Sequence, residues 1–179
     1  MGRRHLRNGL VALLTVTGLA IVSPVAPASG ATTGTESFTG FLIVTGVSGE
    51  RVELASHIRA SGVFRGVGKI IELPPQPGDP ENLDRDDLVF RQGTLHLLST
   101  VQDFQLVSFD PRSCRLAVLV TDTTEFAGGT GIFSGASGTG TGRVEGSGIG
   151  QRNPDGSCSL DLLPAHEIDR VSGSGTLTF

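Results

Sequence analysis

Glycine recurs at every second position in one stretch of the chain, and this period limits what the chain can fold into. Within residues 138–150, six of the seven even-numbered positions are glycine, and Val144 is the exception. Successive side chains of a strand point to opposite faces. A helix does not repeat every two residues, and each glycine would cost it about 1 kcal/mol. The stretch therefore predicts a β-strand with one nearly bare face. We expect a bulky group, such as a phenylalanine of a neighbouring strand, to lie against that face.

The opposite face of this strand carries the side chains, among them Arg143 and Glu145. If that face lines the interior of a barrel, the two residues are candidate acid/base or anchoring groups. If it faces solvent, they form a surface ion pair of little energetic value. The sequence alone does not show which face points inward, and we favour the surface position.

The N-terminal residues have the pattern of a secretory signal peptide. Three arginines within the first seven residues precede an apolar run at residues 10–22, and Ala26-Pro27-Ala28 follows as a small-residue cleavage site. An apolar run of about 13 residues is shorter than the ~20 that span a bilayer. We predict a signal peptide over residues 1–28, with cleavage after residue 31 as the alternative, and hence a secreted protein.

Removing the predicted signal peptide leaves an acidic chain. The peptide contains three of the 14 Lys and Arg residues and none of the 18 Asp and Glu residues, so 11 cations face 18 anions and the net charge is −7. Such a chain has no basic stripe for nucleic acid and no polybasic patch for an anionic membrane. We therefore expect neither nucleic acid nor membrane as a partner. The remaining length predicts a flexible segment over residues 29–37 and one domain over residues 38–179.

The two cysteines, Cys114 and Cys158, follow similar turn sequences. Asp110-Pro111 precedes the first cysteine and Asn153-Pro154 precedes the second, and both dipeptides initiate turns. In an exported chain an even pair of cysteines indicates a disulfide. Closing a loop of this length would stabilise the fold by about 4 kcal/mol. A free catalytic thiol and a metal site are the alternatives, and the absence of a histidine cluster disfavours the metal.

The rest of the chain has the pattern of short strands separated by turn residues. This pattern predicts an all-β barrel or sandwich, and glycines at the corners favour the barrel. Gln102-Asp103 is predicted to form a hairpin turn between two strands. Residues 74–87, with four prolines, are predicted to form an irregular acidic loop, for which a calcium site on Asp84, Asp86 and Asp87 is an alternative that fits no defined loop spacing. The predicted strands cover residues 38–47, 51–60, 63–73, 88–90, 95–101, 104–109, 114–121, 138–150, 158–163 and 170–179.

Residues 128–138, GGTGIFSGASG, resemble the signature of the dirigent proteins and the allene oxide cyclase-like barrels. The flanking strands and Cys114 resemble small secreted bacterial members of that superfamily. The resemblance implies an eight-stranded antiparallel β-barrel (allene oxide cyclase/calycin-like) with a hydrophobic lumen, often assembled as a homotrimer. It also implies stereochemical control of a cyclisation or coupling in the lumen. The motif residues are predicted to have a structural role: Gly128, Gly129, Gly131, Phe133, Gly135 and Gly138.

No catalytic residue of that superfamily transfers to this chain, which has no tyrosine and no tryptophan. The remaining catalytic candidates are polar residues of strand-like segments: Asp122, Glu125, Arg143, Glu145 and His96. Asp122 has the parity of Val118 and Val120, so we expect it to point inward near the barrel mouth. Arg51 and His57 are predicted to share a solvent-facing side, opposite Val52 and Leu54.

Two functions fit these patterns. The first is a cofactor-free barrel that binds a small hydrophobic molecule and guides its cyclisation or isomerisation. It predicts an apolar cavity open at one end, with two or more polar groups in it. The second is a non-catalytic structural or interaction barrel with an interior filled by side chains, and it predicts no such cavity. No motif for a hydrolase, a nucleotide or a metal occurs, so no cofactor is expected.

Overall fold

The chain forms a closed antiparallel barrel of eight strands, as the sequence predicts. A computed structural model describes residues 30–47 and 49–179. Each strand pairs with the next along the chain, and the last pairs with the first. Closure in this order gives each of the eight strands a neighbour on both sides, although β2 and β3 pair only through residues 58–61 and 65–68. The strands are β1 Thr33–Val47, β2 Glu50–Gly62, β3 Arg65–Leu73, β4 Leu83–Phe90, β5 Gly93–Asp110, β6 Arg115–Gly129, β7 Ser137–Ile149 and β8 His166–Thr178.

The two ends of the barrel differ. The connections β2–β3, β4–β5 and β6–β7 meet at one end, together with Phe179. There Phe133 is fully buried and its ring lies 5.0 Å from that of Phe64, 5.9 Å from that of Phe90 and 5.5 Å from that of Phe179. This aromatic cluster closes the barrel, and we call this the closed end. The other end, which we call the mouth, carries the β3–β4, β5–β6 and β7–β8 connections.

The glycine motif lies at the closed end. It spans the end of β6, a short 3-10 helix at Gly131–Phe133 and the start of β7. The helix positions the Phe133 ring in the aromatic cluster. Four of the motif glycines have positive φ: Gly128, Gly131, Gly135 and Gly138. The motif thus forms the turn that joins two strands and seats the phenylalanine.

Gly138 combines a positive φ of 141° with close approach of the neighbouring strand. A Cβ added there would collide with the backbone oxygen of Thr176 and come within 3.1 Å of the Phe126 ring. Gly138→Ala is therefore expected to lower the free energy of unfolding by about 2 kcal/mol, measured by urea denaturation. The control Ser137→Ala, at the exposed neighbouring position, should change it by less than about 0.5 kcal/mol. Equal effects of the two substitutions would contradict this assignment.

Two predicted strand boundaries are wrong. The sequence predicts flexibility over residues 29–37, but β1 begins at Thr33 and pairs with both β2 and β8. The carboxylate of Glu36, fully buried, accepts a hydrogen bond from the Phe64 amide at 2.8 Å, which fixes this segment at the closed end. β4 begins at Leu83, so the irregular loop ends before Asp84 and Asp86.

Two further predicted elements are also wrong. Gln102-Asp103 is no hairpin turn, because β5 runs through it and absorbs Gln102 as a β-bulge between Val101 and Asp103. Residues 158–163 do not form a strand; Cys158 makes only an isolated bridge with Arg152. The predicted signal peptide, residues 1–28, lies outside the described residues.

The predicted disulfide is confirmed. Cys114 and Cys158 are bonded, with their Cα atoms 5.3 Å apart. Cys114 lies at the end of the β5–β6 turn, and Cys158 lies in the long β7–β8 connection. The bond therefore fixes the β7–β8 connection to the mouth of the barrel.

Candidate functional site: the barrel lumen

The barrel encloses a cavity of about 1210 Å³ that reaches the mouth. Its deep wall is apolar and buried, with Phe38, Ile58, Leu88 and Phe126 among the lining side chains. Ligand pockets typically measure about 300–1,000 Å³ and are lined mainly by hydrophobic side chains. The lumen is thus large enough for a small organic molecule.

Apolar side chains also surround the mouth. Phe104 and Leu106 of β5 line the cavity and are exposed to solvent, as are Leu160 and Leu162 of the β7–β8 connection. Isolated exposed hydrophobic residues are ordinary, but several that line the entrance of one cavity are typical of a binding site.

The bare face of the glycine strand points into this lumen. In β7, Gly140, Gly142 and Val144 line the cavity. Gly142 pairs with Asp122 of β6, and a Cβ at Gly142 would collide with the Asp122 carboxylate. A Cβ at Gly146 would come within 2.8 Å of Asp169 Oδ1 and 3.0 Å of Glu167 Oε1. A phenylalanine ring lies against Gly138, as expected, but a carboxylate takes the space beside Gly142, and Val118 with two carboxylates takes the space beside Gly146.

The lumen has an excess of acidic side chains. Seven carboxylates but only two guanidinium groups, Arg51 and Arg85, are among the residues that line it. The carboxylates come from five strands: Glu50, Glu72, Asp84, Asp86, Asp122, Glu167 and Asp169. No sequence pattern singled out most of these residues.

Arg51 is already engaged by three of these carboxylates. Its guanidinium donates to Glu72 at 3.1 Å, to Glu167 at 2.7 Å and to Asp169 at 2.6 Å. Arg85 donates to both carboxylate oxygens of Asp79 at 2.7 Å. Neither guanidinium is therefore available to an anionic ligand without breaking an existing ion pair.

The sequence predicts that Arg51 faces solvent beside His57, and this is wrong. β1 and β2 change register between Ile43 and Val44, where Leu54 becomes an extra residue. A bulge of this kind reverses the alternation of side chains. His57 stays on the outer surface, stacked on Phe41 with ring centroids 5.8 Å apart, whereas Arg51 turns into the lumen and Leu54 turns out to solvent.

Four lumen carboxylates have no ion-pair partner in the described part of the chain: Glu50, which is exposed, and Asp84, Asp86 and Asp122. Asp122 accepts a hydrogen bond from Thr124 Oγ1 at 2.8 Å. Burial and the charges of Glu72 and Asp84 raise the pKa of Asp86 to about 7. Burial, followed by the charge of Asp122, also raises the pKa of Asp84.

Asp169 titrates in the same range despite its contact with Arg51. Burial, followed by the charge of Glu167, raises the pKa of Asp169 to about 6, against the opposing effect of Arg51. Asp86 and Asp169 therefore change charge between about pH 6 and pH 7, which ordinary aspartates do not do.

Of the five predicted catalytic candidates, the structure places only Asp122 in the lumen. Arg143 and Glu145 lie on the outer face of β7 with half-exposed side chains, 51% and 53%, and pair with each other at 2.9 Å. Glu125 is exposed on β6. His96 lies on the outer face of β5, where its Nδ1 lies 2.6 Å from Asp87 Oδ1. These four residues do not converge.

Asp84, Asp86 and Asp87 do not converge on a calcium ion either. Asp84 and Asp86 line the lumen, whereas Asp87 contacts His96 outside. Among residues 30–47 and 49–179, no group of three or more His, Cys, Asp or Glu side chains has a metal-binding arrangement. Within the same residues, no helix has the length and apolar character needed to cross a bilayer.

A sequence signal for the missed carboxylates does exist. Asp84 and Asp86 share strand parity with the buried residues Leu88 and Phe90, and Glu167 and Asp169 share it with the buried Leu177. The prolines before β4 and the break at Pro164 concealed the early part of both strands. Once the limits of the strands are known, acidic residues that share strand parity with core residues therefore indicate a polar lumen.

Comparisons with models of protein families, with curated proteins and with solved structures give no match to this chain. The resemblance of residues 128–138 to the dirigent and allene oxide cyclase signature therefore stays a prediction.

Proposed function

We propose that the protein is a binding protein whose barrel lumen takes up a small hydrophobic molecule through the mouth. The observation that carries this proposal is the cavity of about 1210 Å³, with its apolar wall and apolar entrance. Small barrels whose interior is filled by side chains have no such space. The cavity therefore weighs against the alternative, a non-catalytic structural or interaction barrel with a filled interior.

The test is uptake of the neutral fluorescent probe N-phenyl-1-naphthylamine by the full barrel. Val120 and Val144 pair across β6 and β7 and both line the lumen. The double variant Val120→Trp/Val144→Trp should fill part of the cavity and weaken probe binding by at least about ten-fold. The adjacent register pair, Thr121 and Arg143, lies on the outer face. The control Thr121→Trp/Arg143→Trp should therefore bind the probe as the unaltered protein does.

Circular dichroism and thermal melting would show that both double variants are folded. Equal binding by the two double variants, or no binding by the unaltered protein, would overturn the proposed function.

A proton-transfer reaction on the bound molecule is a second candidate function. It is supported by Asp86, whose pKa of about 7 lies where a general acid or base works best at neutral pH. Cyclisation or isomerisation without a cofactor, as in the dirigent and allene oxide cyclase-like barrels, belongs to this class. Asp86 and Asp122 are the residues we propose for the acid and base roles.

Secretion, membership of the dirigent and allene oxide cyclase-like superfamily and assembly as a homotrimer also remain proposals. The Cys114–Cys158 bond supports secretion, because disulfides persist in oxidising compartments. Native mass spectrometry of the protein from a culture supernatant would test secretion through the mature mass and the homotrimer through the oligomeric mass. It would also detect any retained ligand.

A further inference from the structure

The charge of the lumen narrows the class of molecule that it would hold. The inference rests on the proposed function, because it concerns the occupant of the same cavity. A purely hydrophobic molecule needs only the deep wall formed by residues such as Phe38, Ile58 and Phe126. It gives no reason for carboxylates from five strands to line the same space.

The arrangement of these carboxylates is unfavourable without an occupant. Asp84, Asp86 and Asp122 repel one another, and no cation lies within ion-pair distance of them in the described part of the chain. Asp86 and Asp122 are half-buried, and charges removed from water are costly unless they are paired. Asp84 and Asp86 also accept no hydrogen bond from the residues that the structure describes, and both line the open cavity.

The glycines of β7 preserve this arrangement. The bare face at Gly142 leaves room for the Asp122 carboxylate, and the bare face at Gly146 leaves room for Glu167 and Asp169. A strand with ordinary side chains at these positions would displace the acids. Both guanidinium groups of the lining are engaged, so an anionic headgroup has no free cationic partner among the residues that line the lumen.

We propose that the lumen selects an amphipathic amine, a molecule with an apolar body that packs on the deep wall and a cationic nitrogen that pairs with Asp84, Asp86 and Asp122. Charged nitrogen donors form the strongest hydrogen bonds to carboxylates. A negative cavity also concentrates cations at its entrance. The apolar mouth admits the body of the molecule, and the carboxylates fix its headgroup.

The test compares three molecules with one alkyl chain: decylamine, decanol and decanoic acid. Binding is measured at pH 7.5 and low ionic strength by displacement of N-phenyl-1-naphthylamine. Decylamine should bind at least about ten-fold more tightly than decanol, and decanoate more weakly than either. Added salt should weaken the binding of decylamine and leave that of decanol unchanged.

Two variants complete the experiment. Asp86→Asn should weaken decylamine binding about ten-fold at pH 7.5 and leave decanol binding unchanged, since only one of the two ligands carries charge. The matched control Asp87→Asn, which alters the outer face of the same strand, should change neither.

The two possible failures are distinct. If decanol binds and decylamine binds no more tightly, selection of an amine is overturned and the binding barrel stands. If none of the three ligands binds, the proposed binding function is overturned, and so is the selection of an amine.

Discussion

Asp86→Asn is expected to stabilise the folded protein at pH 8 by up to about 4 kcal/mol, because the folded state holds the pKa of this carboxyl about three units above its unfolded value. Deprotonation at pH 8 places a charge in the lumen beside other acids. Asparagine keeps the size of the side chain and removes that charge. The free energy of unfolding, measured in urea at pH 8, checks the prediction. The control Asp87→Asn removes only a partly exposed contact with His96 and should cost less than about 1 kcal/mol.

The Asp86 carboxyl group also makes the stability of the protein depend on pH. A carboxyl whose pKa is raised on folding binds more protons in the folded state than in the unfolded state. Its stabilising contribution is complete below the unfolded pKa of about 4 and is lost as the pH rises through about 7. The unaltered protein should therefore become more stable as the pH falls from 8 towards 5.

Asp86→Asn should flatten much of this rise, and the remainder belongs to Asp169 and Asp84. The charged groups around Asp86 are Arg51 of β2, Glu72 of β3, Asp84 and Asp87 of β4, Asp122 of β6, and Glu167 and Asp169 of β8. A stability that falls between pH 8 and pH 5, or a variant that keeps the full dependence, would contradict the assignment.

Reduction of the Cys114–Cys158 bond is expected to lower the free energy of unfolding by about 4 kcal/mol, since the bond closes a loop across a sequence separation of 44 residues. The bond restricts the unfolded chain, and it also fixes the β7–β8 connection at the mouth. Urea denaturation with and without a reductant measures the effect.

The double variant Cys114→Ser/Cys158→Ser is the control for the reductant. It should have the stability of the reduced protein and should not respond to reductant. A disulfide-containing protein that unfolds at the same urea concentration in both conditions would show that the bond contributes little.

The destabilising effect of the Asp86 carboxylate is linked to its proposed role in binding an amine. A group that destabilises the fold while facing a cavity is typical of functional sites, where stability is exchanged for activity. We therefore expect Asp86→Asn both to raise stability and to lower the affinity for an amine. A variant that raised stability and left decylamine binding intact would separate the two properties and argue against an amine as the occupant.

The barrel was predictable from the sequence because its main signals are local. The alternation of glycine in β7 indicates a strand with a bare face. The turn residues before Cys114 and Cys158 indicate two connections at one end of the barrel. Each signal lies within one continuous stretch of the chain, so neighbouring strands are not needed to detect it.

The acidic lumen was not predictable in the same way. A single extra residue at Leu54 reverses the direction of Arg51, and it depends on the pairing of β2 with β1. The prolines at the start of the β3–β4 connection suggested a loop that reached Asp87, although β4 begins at Leu83. The inward direction of Asp122 was predictable because it shares parity with an uninterrupted apolar run, although Asp122 lies in the middle of β6 and not near the mouth. The direction of a side chain in a barrel is therefore predictable where the strand is regular and not beyond a bulge.

The most direct test of a ligand-binding lumen is a nuclear magnetic resonance titration of methyl-labelled protein with decylamine. We expect the largest shifts, and nuclear Overhauser contacts with the alkyl chain, at methyl groups lining the lumen: Val118, Val120, Val144 and Val171. Exposed methyl groups outside the lining should be unaffected: Leu54, Val67 and Val107. Shifts confined to these outer residues, or no shifts at saturating decylamine, would contradict the claim that the lumen is the binding site.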